Sequence, residues 1–252
     1  MEGAYEALAG CYDQMTGDVN YPAWADFLET LFAREKRPVH TVLDLACGTG
    51  TMTFILADRG YELIGVDASV DMLMQARQKS AALSPAPLWL CQDAAELDLY
   101  GTVDAAYCSL DGMNYLPPAT LPELFHRLRL FVRPGGLVLF DIKTPDWFRS
   151  LDGEIFVDER EDLLCLWRAD LDEEQQAIVY GMDLFERQGR LWRRSGEEHV
   201  EYIHEPGRLR SLLEAEGFYD IRERDDGPQA ENGRLFMIAR RDQNYETKRR
   251  ES

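Results

Sequence analysis

The residue types most able to do chemistry are gathered in Val42-Leu43-Asp44-Leu45-Ala46-Cys47-Gly48-Thr49-Gly50-Thr51 and, a little further on, in Gly65-Val66-Asp67. An apolar strand that breaks at glycines, followed by a second strand ending in a carboxylate, is how a doubly wound sheet holds a ribose-bearing ligand at its carboxyl edge. The glycine spacing narrows the ligand. A diphosphate requires G-x-G-x-x-G, so that backbone N–H groups at a helix start can touch it. Here Gly48 and Gly50 are followed by Thr53 where the third glycine would stand, so the loop suits a ribose without a phosphate. A nicotinamide-dependent oxidoreductase, which needs the diphosphate turn, is disfavoured on the same ground.

Other reactive side chains are scattered. Asp93 follows a short apolar run in Gln92-Asp93-Ala94, Asp111 follows another, and Tyr12 and Tyr21 belong to the N-terminal segment. His40, His126, His199 and His204 read as structural or surface residues, and the spacing of the last two suggests no metal pair. Five cysteines, Cys11, Cys47, Cys91, Cys108 and Cys165, are odd in number and lack C-x-x-C spacing, so neither disulfides nor zinc are expected.

The elements that must position these groups follow from periodicity. Trp24, Phe27, Leu28, Leu31 and Phe32 form the stripe of an amphipathic helix between Tyr21 and Lys36. Val39–Ala46 reads as a strand buried on both faces, Met52–Arg59 as a helix stopped by Gly60, and Glu62–Asp67 as a second strand. Ser69 is a suitable N-cap for a helix from Val70 to about Ala82. Leu88–Gln92, Val103–Ser109 and Leu137–Asp141 are further strands, the last entered through Arg133-Pro134-Gly135-Gly136, with a helix after Pro122. Strand and helix alternate up to residue 141, which predicts a parallel sheet with crossover helices. From about Leu163 to Ile203 the apolar period drops to two, with a hairpin turn at Gln188-Gly189, which predicts a small inserted antiparallel sheet above the strand ends. Its aromatics, Trp167, Tyr180, Phe185, Trp192 and Tyr202, could close a pocket. Helical spacing returns at Leu209, Leu212 and Leu213, and Tyr219–Arg224 with Leu235–Arg240 read as a closing antiparallel pair. The expected organisation is a sheet domain of residues 1–150 and 205–241, a β cap of residues 151–204, and a disordered tail of residues 242–252.

Lys and Arg number 27 against 46 Asp and Glu in 252 residues, a net charge of −19. Such a surface repels phosphate backbones and anionic lipid, so nucleic acid is an unlikely partner and a small, neutral to cationic substrate is favoured. No apolar run approaches the ~20 residues of a membrane helix, and the start lacks a signal-peptide pattern, so a cytoplasmic protein, monomer or homodimer, is expected.

With the glycine loop, the acidic strand end, Gln92-Asp93-Ala94 and Arg133-Pro134-Gly135-Gly136 in order, residues 39–141 resemble the class I S-adenosylmethionine-dependent methyltransferases. Tyr12-Asp13, Tyr21 and Leu110-Asp111-Gly112-Met113-Asn114-Tyr115-Leu116 look more narrowly like small bacterial members that include sugar N,N-dimethyltransferases and uncharacterised relatives. The resemblance implies an α/β fold, a doubly wound and mostly parallel sheet with its last strand antiparallel, S-adenosylmethionine as cofactor, and methyl transfer to nitrogen or oxygen of a small molecule. It also implies roles. Gly48 and Gly50 would let backbone lie against the cofactor, Asp44 would sit near its ammonium, and Asp67 would accept its ribose hydroxyls. Asp93 would take the adenine amine, Ala94 would offer its N–H, and Ala68 and Met72 would wall the base. Ala46, which stands where the family often has glycine, joins Cys47, Ser109 and Tyr21 as further cofactor contacts. Asp111 and Tyr12 are the candidates for touching substrate. Two alternatives stay open, a methyltransferase acting on tRNA and a cofactor-binding protein without turnover.

Overall fold

The central strands are continuous apolar sequence because helices cover both of their faces. In the computed structural model, which describes residues 8–80 and 85–243, Val42, Leu43 and Leu45 of β1 (Thr41–Leu45) are buried and point alternately into two layers. Ahead of β1 lie α1 (Tyr12–Met15) and α2 (Tyr21–Phe32). Trp24, Leu28 and Leu31 of α2 pack on Val42 in one layer. The chain continues through α3 (Thr51–Asp58), β2 (Glu62–Asp67), α4 (Val70–Ser80), β3 (Leu88–Cys91), β4 (Val103–Cys108), α5 (Leu121–Phe131) and β5 (Val132–Lys143). Leu124, Phe125 and Leu128 of α5 pack with Leu43, Val138 and Phe140 in the opposite layer.

After β5 come α6 (Pro145–Ser150), started by the Thr144 hydroxyl accepting the Trp147 N–H at 3.4 Å, and β6 (Ile155–Glu159), β7 (Leu163–Asp172), β8 (Ala177–Gln188) and β9 (Leu191–Tyr202). These four strands form an antiparallel sheet in the order β6-β7-β8-β9. The chain returns through α7 (Pro206–Ala215), β10 (Phe218–Arg224) and β11 (Arg234–Arg241) to complete a seven-stranded sheet ordered β10-β11-β5-β4-β1-β2-β3. β1 to β5 are parallel, and β11 runs antiparallel to both β5 and β10. The α/β class, the mostly parallel sheet with antiparallel last strand and the inserted antiparallel sheet are therefore as expected.

Three details differ from the sequence reading. The inserted sheet has an additional strand, β6, ahead of the expected start near Leu163, and α6 precedes it. β5 begins at Val132, with Val103 paired to Val132 but Ala105 to Leu137, so Arg133-Pro134-Gly135-Gly136 bulges out within the strand. The expected end of the helix near Ala82 and most of the expected tail lie outside the described residues. Among the described residues no helix is long and apolar enough to cross a membrane.

Both ends of the described chain are anchored, one to each sheet. Leu8 and Cys11 pack with Leu163, Cys165, Met182 and Leu184 of the smaller sheet. At the far end Arg234, the first residue of β11, is buried between Asp141 of β5, which it bonds, and Asp111, 2.7 Å away. Removing the cation would leave two carboxylates facing each other in a place water hardly reaches. Arg234→Met should therefore lower stability to urea by about 3–5 kcal/mol, more than any exposed arginine pair such as Arg222–Asp220.

Candidate active site

The carboxyl ends of β1, β2, β3 and β4 open into a cavity of about 450 Å³. Its floor is the loop after β1, where Ala46, Gly48 and Gly50 have φ of 56°, 54° and 78°. Glycine takes that left-handed conformation freely, whereas a side chain there costs about 1–2 kcal/mol. Ala46, Cys47 and Gly48 line the cavity, but Gly50 does not. The Trp89 indole of β3 lies across Gly50 and Gly65, and a Cβ on either glycine would run into the ring. Gly50 thus serves close packing under the loop and the start of α3.

Asp67 ends β2 and faces the cavity. Its Oδ2 accepts the Gly48 N–H at 2.8 Å and its Oδ1 the Ser69 N–H at 2.8 Å. A carboxylate has about four lone-pair sites, so each oxygen keeps capacity for a ligand hydroxyl. Burial raises the Asp67 pKa, and the N–H bonds from Ser69 and Gly48 draw it back. Asp44, also on the cavity wall, is 1% exposed and accepts the Thr53 hydroxyl at 2.5 Å. Burial pushes its carboxyl up to about 7 against the opposing effect of that hydroxyl. Asp93 Oδ1 accepts the Ala95 N–H at 2.8 Å, which starts a short turn, while Asp93 and Ala94 line the cavity opposite Ala68 and Met72. Ser69 caps α4 as expected, its hydroxyl accepting the Met72 N–H at 3.2 Å.

The N-terminal segment covers the loop. Asp13 accepts the Thr49 hydroxyl at 2.6 Å and pairs with Lys79 at 2.7 Å, and beside it Tyr12 and Tyr21 line the cavity. Across from them stand Ser109, Leu110 and Tyr115 after β4, and Glu198, His199 and Val200 of β9. Asp44, Asp67, Asp71, Asp93 and Glu198 are the acids of the lining, and among the described lining residues there is no lysine or arginine.

A family model described as "Methyltransferase domain" matches residues 42–136, the segment that carries the loop, Asp67 and Asp93. The Bacillus subtilis (strain 168) protein named "Putative methyltransferase YqeM" is 29% identical over 244 residues, covering 94% of this chain and 97% of its own. This chain is a class I S-adenosylmethionine-dependent methyltransferase. Solved structures agree on the fold of the methyltransferase. An S-adenosylmethionine-dependent methyltransferase from Clostridium acetobutylicum ATCC 824 has a TM-score of 0.82 at 24% identity, over 95% of this chain and all of that one. CalS10, an amino pentose methyltransferase from Micromonospora echinaspora with S-adenosylmethionine bound, has a TM-score of 0.77 at 19% identity, over 96% and 99% of the two chains.

The methyltransferase departs from the sequence reading at one candidate position besides the sheltered Gly50. Asp111 does not line the cavity; its carboxylate is held by Arg234 at 2.7 Å and its own N–H donates to Asp141 at 2.9 Å. That pairing suits a residue bracing the strained pair Leu110 and Asp111, both at positive φ, better than a free base. Tyr12 does face the cavity, but burial, with Tyr21 and Asp111 nearby, drives its pKa well up, so the phenol keeps its proton and can only donate or orient. His199, read from sequence as structural or surface, is buried in the cavity wall. The aromatics of the inserted sheet contribute indirectly: Trp167 backs His199 at 5.9 Å, and Trp192 lies half-exposed under Arg187.

The loop geometry separates the two small-residue positions. Gly50→Ala should lower stability in denaturant titration by about 2–4 kcal/mol, combining left-handed strain with the clash on Trp89. Ala46→Gly should change it by less than about 1 kcal/mol, because relief of strain offsets the freer unfolded chain.

Proposed function

We propose that the methyltransferase binds S-adenosylmethionine along the ends of β1, β2 and β3 and methylates a nitrogen or oxygen of a small, neutral or cationic acceptor. The observation that carries this reading is Asp67, a half-buried carboxylate braced by two backbone N–H groups with capacity left for two hydroxyls. Asp44 would face the cofactor's ammonium, and Asp93 with Ala94 the adenine edge, Ala68 and Met72 enclosing the base. When bound, the cofactor supplies a methyl group on a sulfonium leaving group, so the protein's task is mainly alignment.

The acceptor class follows from charge. Among the described lining residues there is no lysine or arginine to neutralise an anionic acceptor, and the net charge of −19 opposes a polyanion. A nitrogen acceptor is supported further by CalS10, whose own acceptor is an amino pentose. The protonated Tyr12 would orient the acceptor rather than deprotonate it.

Calorimetry with S-adenosylhomocysteine tests the reading directly. Asp67→Ala should weaken binding by about 10–100-fold, the value of charge-assisted hydrogen bonds. Wild-type affinity should also rise between pH 6 and 8. Asp44 is substantially protonated below about 7 in the free protein, and a cationic ammonium beside it favours the ionised form, so binding below that pH must expel a proton. Asp44→Asn should flatten this rise. An absence of binding by wild-type protein would defeat the proposal.

A further inference from the structure

Part of the cavity wall is the edge of a strand. Glu198, His199 and Val200 are consecutive in β9, and all three line the cavity. Side chains of successive strand residues leave opposite faces of a sheet, so a space touched by all three lies against the rim of β9 rather than against one of its faces. β9 is the outer strand in the order β6-β7-β8-β9, which leaves that rim unpaired within the sheet.

The register fixes which backbone groups the rim carries. β8 and β9 pair without a shift from Ala177 with Tyr202 to Gln188 with Leu191, and next to the first pair the Ile203 N–H donates to the Gln176 carbonyl at 2.7 Å. In an antiparallel ladder only alternate residues exchange hydrogen bonds with the partner strand. Ile203, Glu201 and His199 therefore bond β8, whereas the N–H and C=O groups of Tyr202, Val200 and Glu198 point away from it. The Tyr202 carbonyl accordingly accepts the side chain of Asn114, in the turn after β4, at 2.9 Å. That bond closes the rim at Tyr202, while Gly196 and Arg194, further back along the strand, are exposed. Val200 is half-buried and Glu198 exposed, so a molecule in the cavity can reach both.

Two N–H groups and two carbonyls at alternate positions, roughly 7 Å apart, match the repeat of a second extended peptide, which is how strands are added at sheet edges. Charge then selects the end that enters. The charged residues of the described lining are all acids, which suits an ammonium and opposes a carboxylate. Resting on the proposed function, we propose that the acceptor is the N-terminal amine of a peptide that pairs with Glu198 and Val200. Because the rim is closed at Tyr202, the amino end lies towards Val200 and the chain leaves past Gly196 and Arg194, antiparallel to β9. The amine first releases one proton to water. Its lone pair then forms a bond to the methyl carbon, the carbon–sulfur bond breaks with its electron pair on sulfur, and the product is an N-methylammonium.

The test uses the full chain with saturating S-adenosylhomocysteine, and trialanine amide as the probe. Amide hydrogen exchange followed by NMR should show the Glu198 and Val200 N–H groups slowed by about tenfold or more at saturating peptide. The His199 N–H, already bonded to β8, should change little. Glucosamine, an amine without a peptide, should leave all three as they were. N-acetyl-trialanine amide, which lacks the ammonium, should bind about tenfold more weakly than trialanine amide. Val200→Pro removes one outward N–H from an edge strand, where proline is tolerated, and should weaken trialanine amide by about tenfold, whereas Val200→Ala, which keeps that N–H, should stay within about threefold. The exchange measurement on wild-type protein carries the test where the proline variant does not fold. With S-adenosylhomocysteine bound, three results would each overturn the assignment alone: no binding of trialanine amide, binding that leaves Glu198 and Val200 unprotected, or equal protection by glucosamine. No binding of S-adenosylhomocysteine overturns the cofactor reading and this assignment with it.

Discussion

One carboxylate joins the parts of this site. Asp67 ends β2, yet its two oxygens reach the backbone N–H of Gly48 in the loop after β1 and of Ser69 at the start of α4. The glycine loop, the strand end and the next helix are thereby tied to a single side chain before any ligand arrives. Such preorganisation lessens the ordering required on binding. It also explains why the loop tolerates left-handed backbone at Ala46 and Gly48: the hydrogen bond to Asp67 and the Cys47 N–H to the Val66 carbonyl hold that turn from the neighbouring strand.

Around this centre the fold spends ionic contacts on closure. Asp13 draws the N-terminal segment over the loop through Thr49 and Lys79, while Leu8 and Cys11 of the same segment pack into the inserted sheet. Arg234 fixes the loop after β4 to β5 and β11 through Asp111 and Asp141. The Lys79 pair is solvent-exposed and adds little energy, so the apolar contacts of Leu8 and Cys11 carry more of that closure. The result is a cavity walled by two sheets and an N-terminal strap, its charged lining residues, among those described, all acids.

The parallel core was readable because its physics is local. Val42 to Leu45 and Glu62 to Asp67 are short apolar runs bounded by turn residues, and the strand at Glu62–Asp67 has the limits its sequence implied. β6 was missed because Ile155, Phe156 and Val157 are consecutive and exposed at the sheet edge, so no alternation marks them. α6 is only 6 residues long, too short for a helical stripe, although Thr144-Pro145 was a start signal that could have revealed it. Of the cofactor-side candidates, Asp44, Ala46, Cys47, Gly48, Asp67, Ala68, Met72, Asp93, Ala94, Ser109 and Tyr21 line the cavity and Gly50 does not, and the substrate-side candidate Tyr12 lines it too, since these follow a strand end or belong to the covering segment. What local sequence could not convey is pairing at a distance. Arg234 is 123 residues from Asp111, and nothing around His199 announces that strand β9 turns it inward onto Tyr115.

The central claim is that Asp67 holds a ribose while bracing the glycine loop. A crystal structure of the protein with S-adenosylhomocysteine tests it most directly. The account predicts both ribose hydroxyls within hydrogen-bond distance of Asp67, with its bonds to Gly48 and Ser69 intact and the base between Met72 and Asp93. A ribose bound elsewhere, with Asp67 touching only backbone, would contradict it.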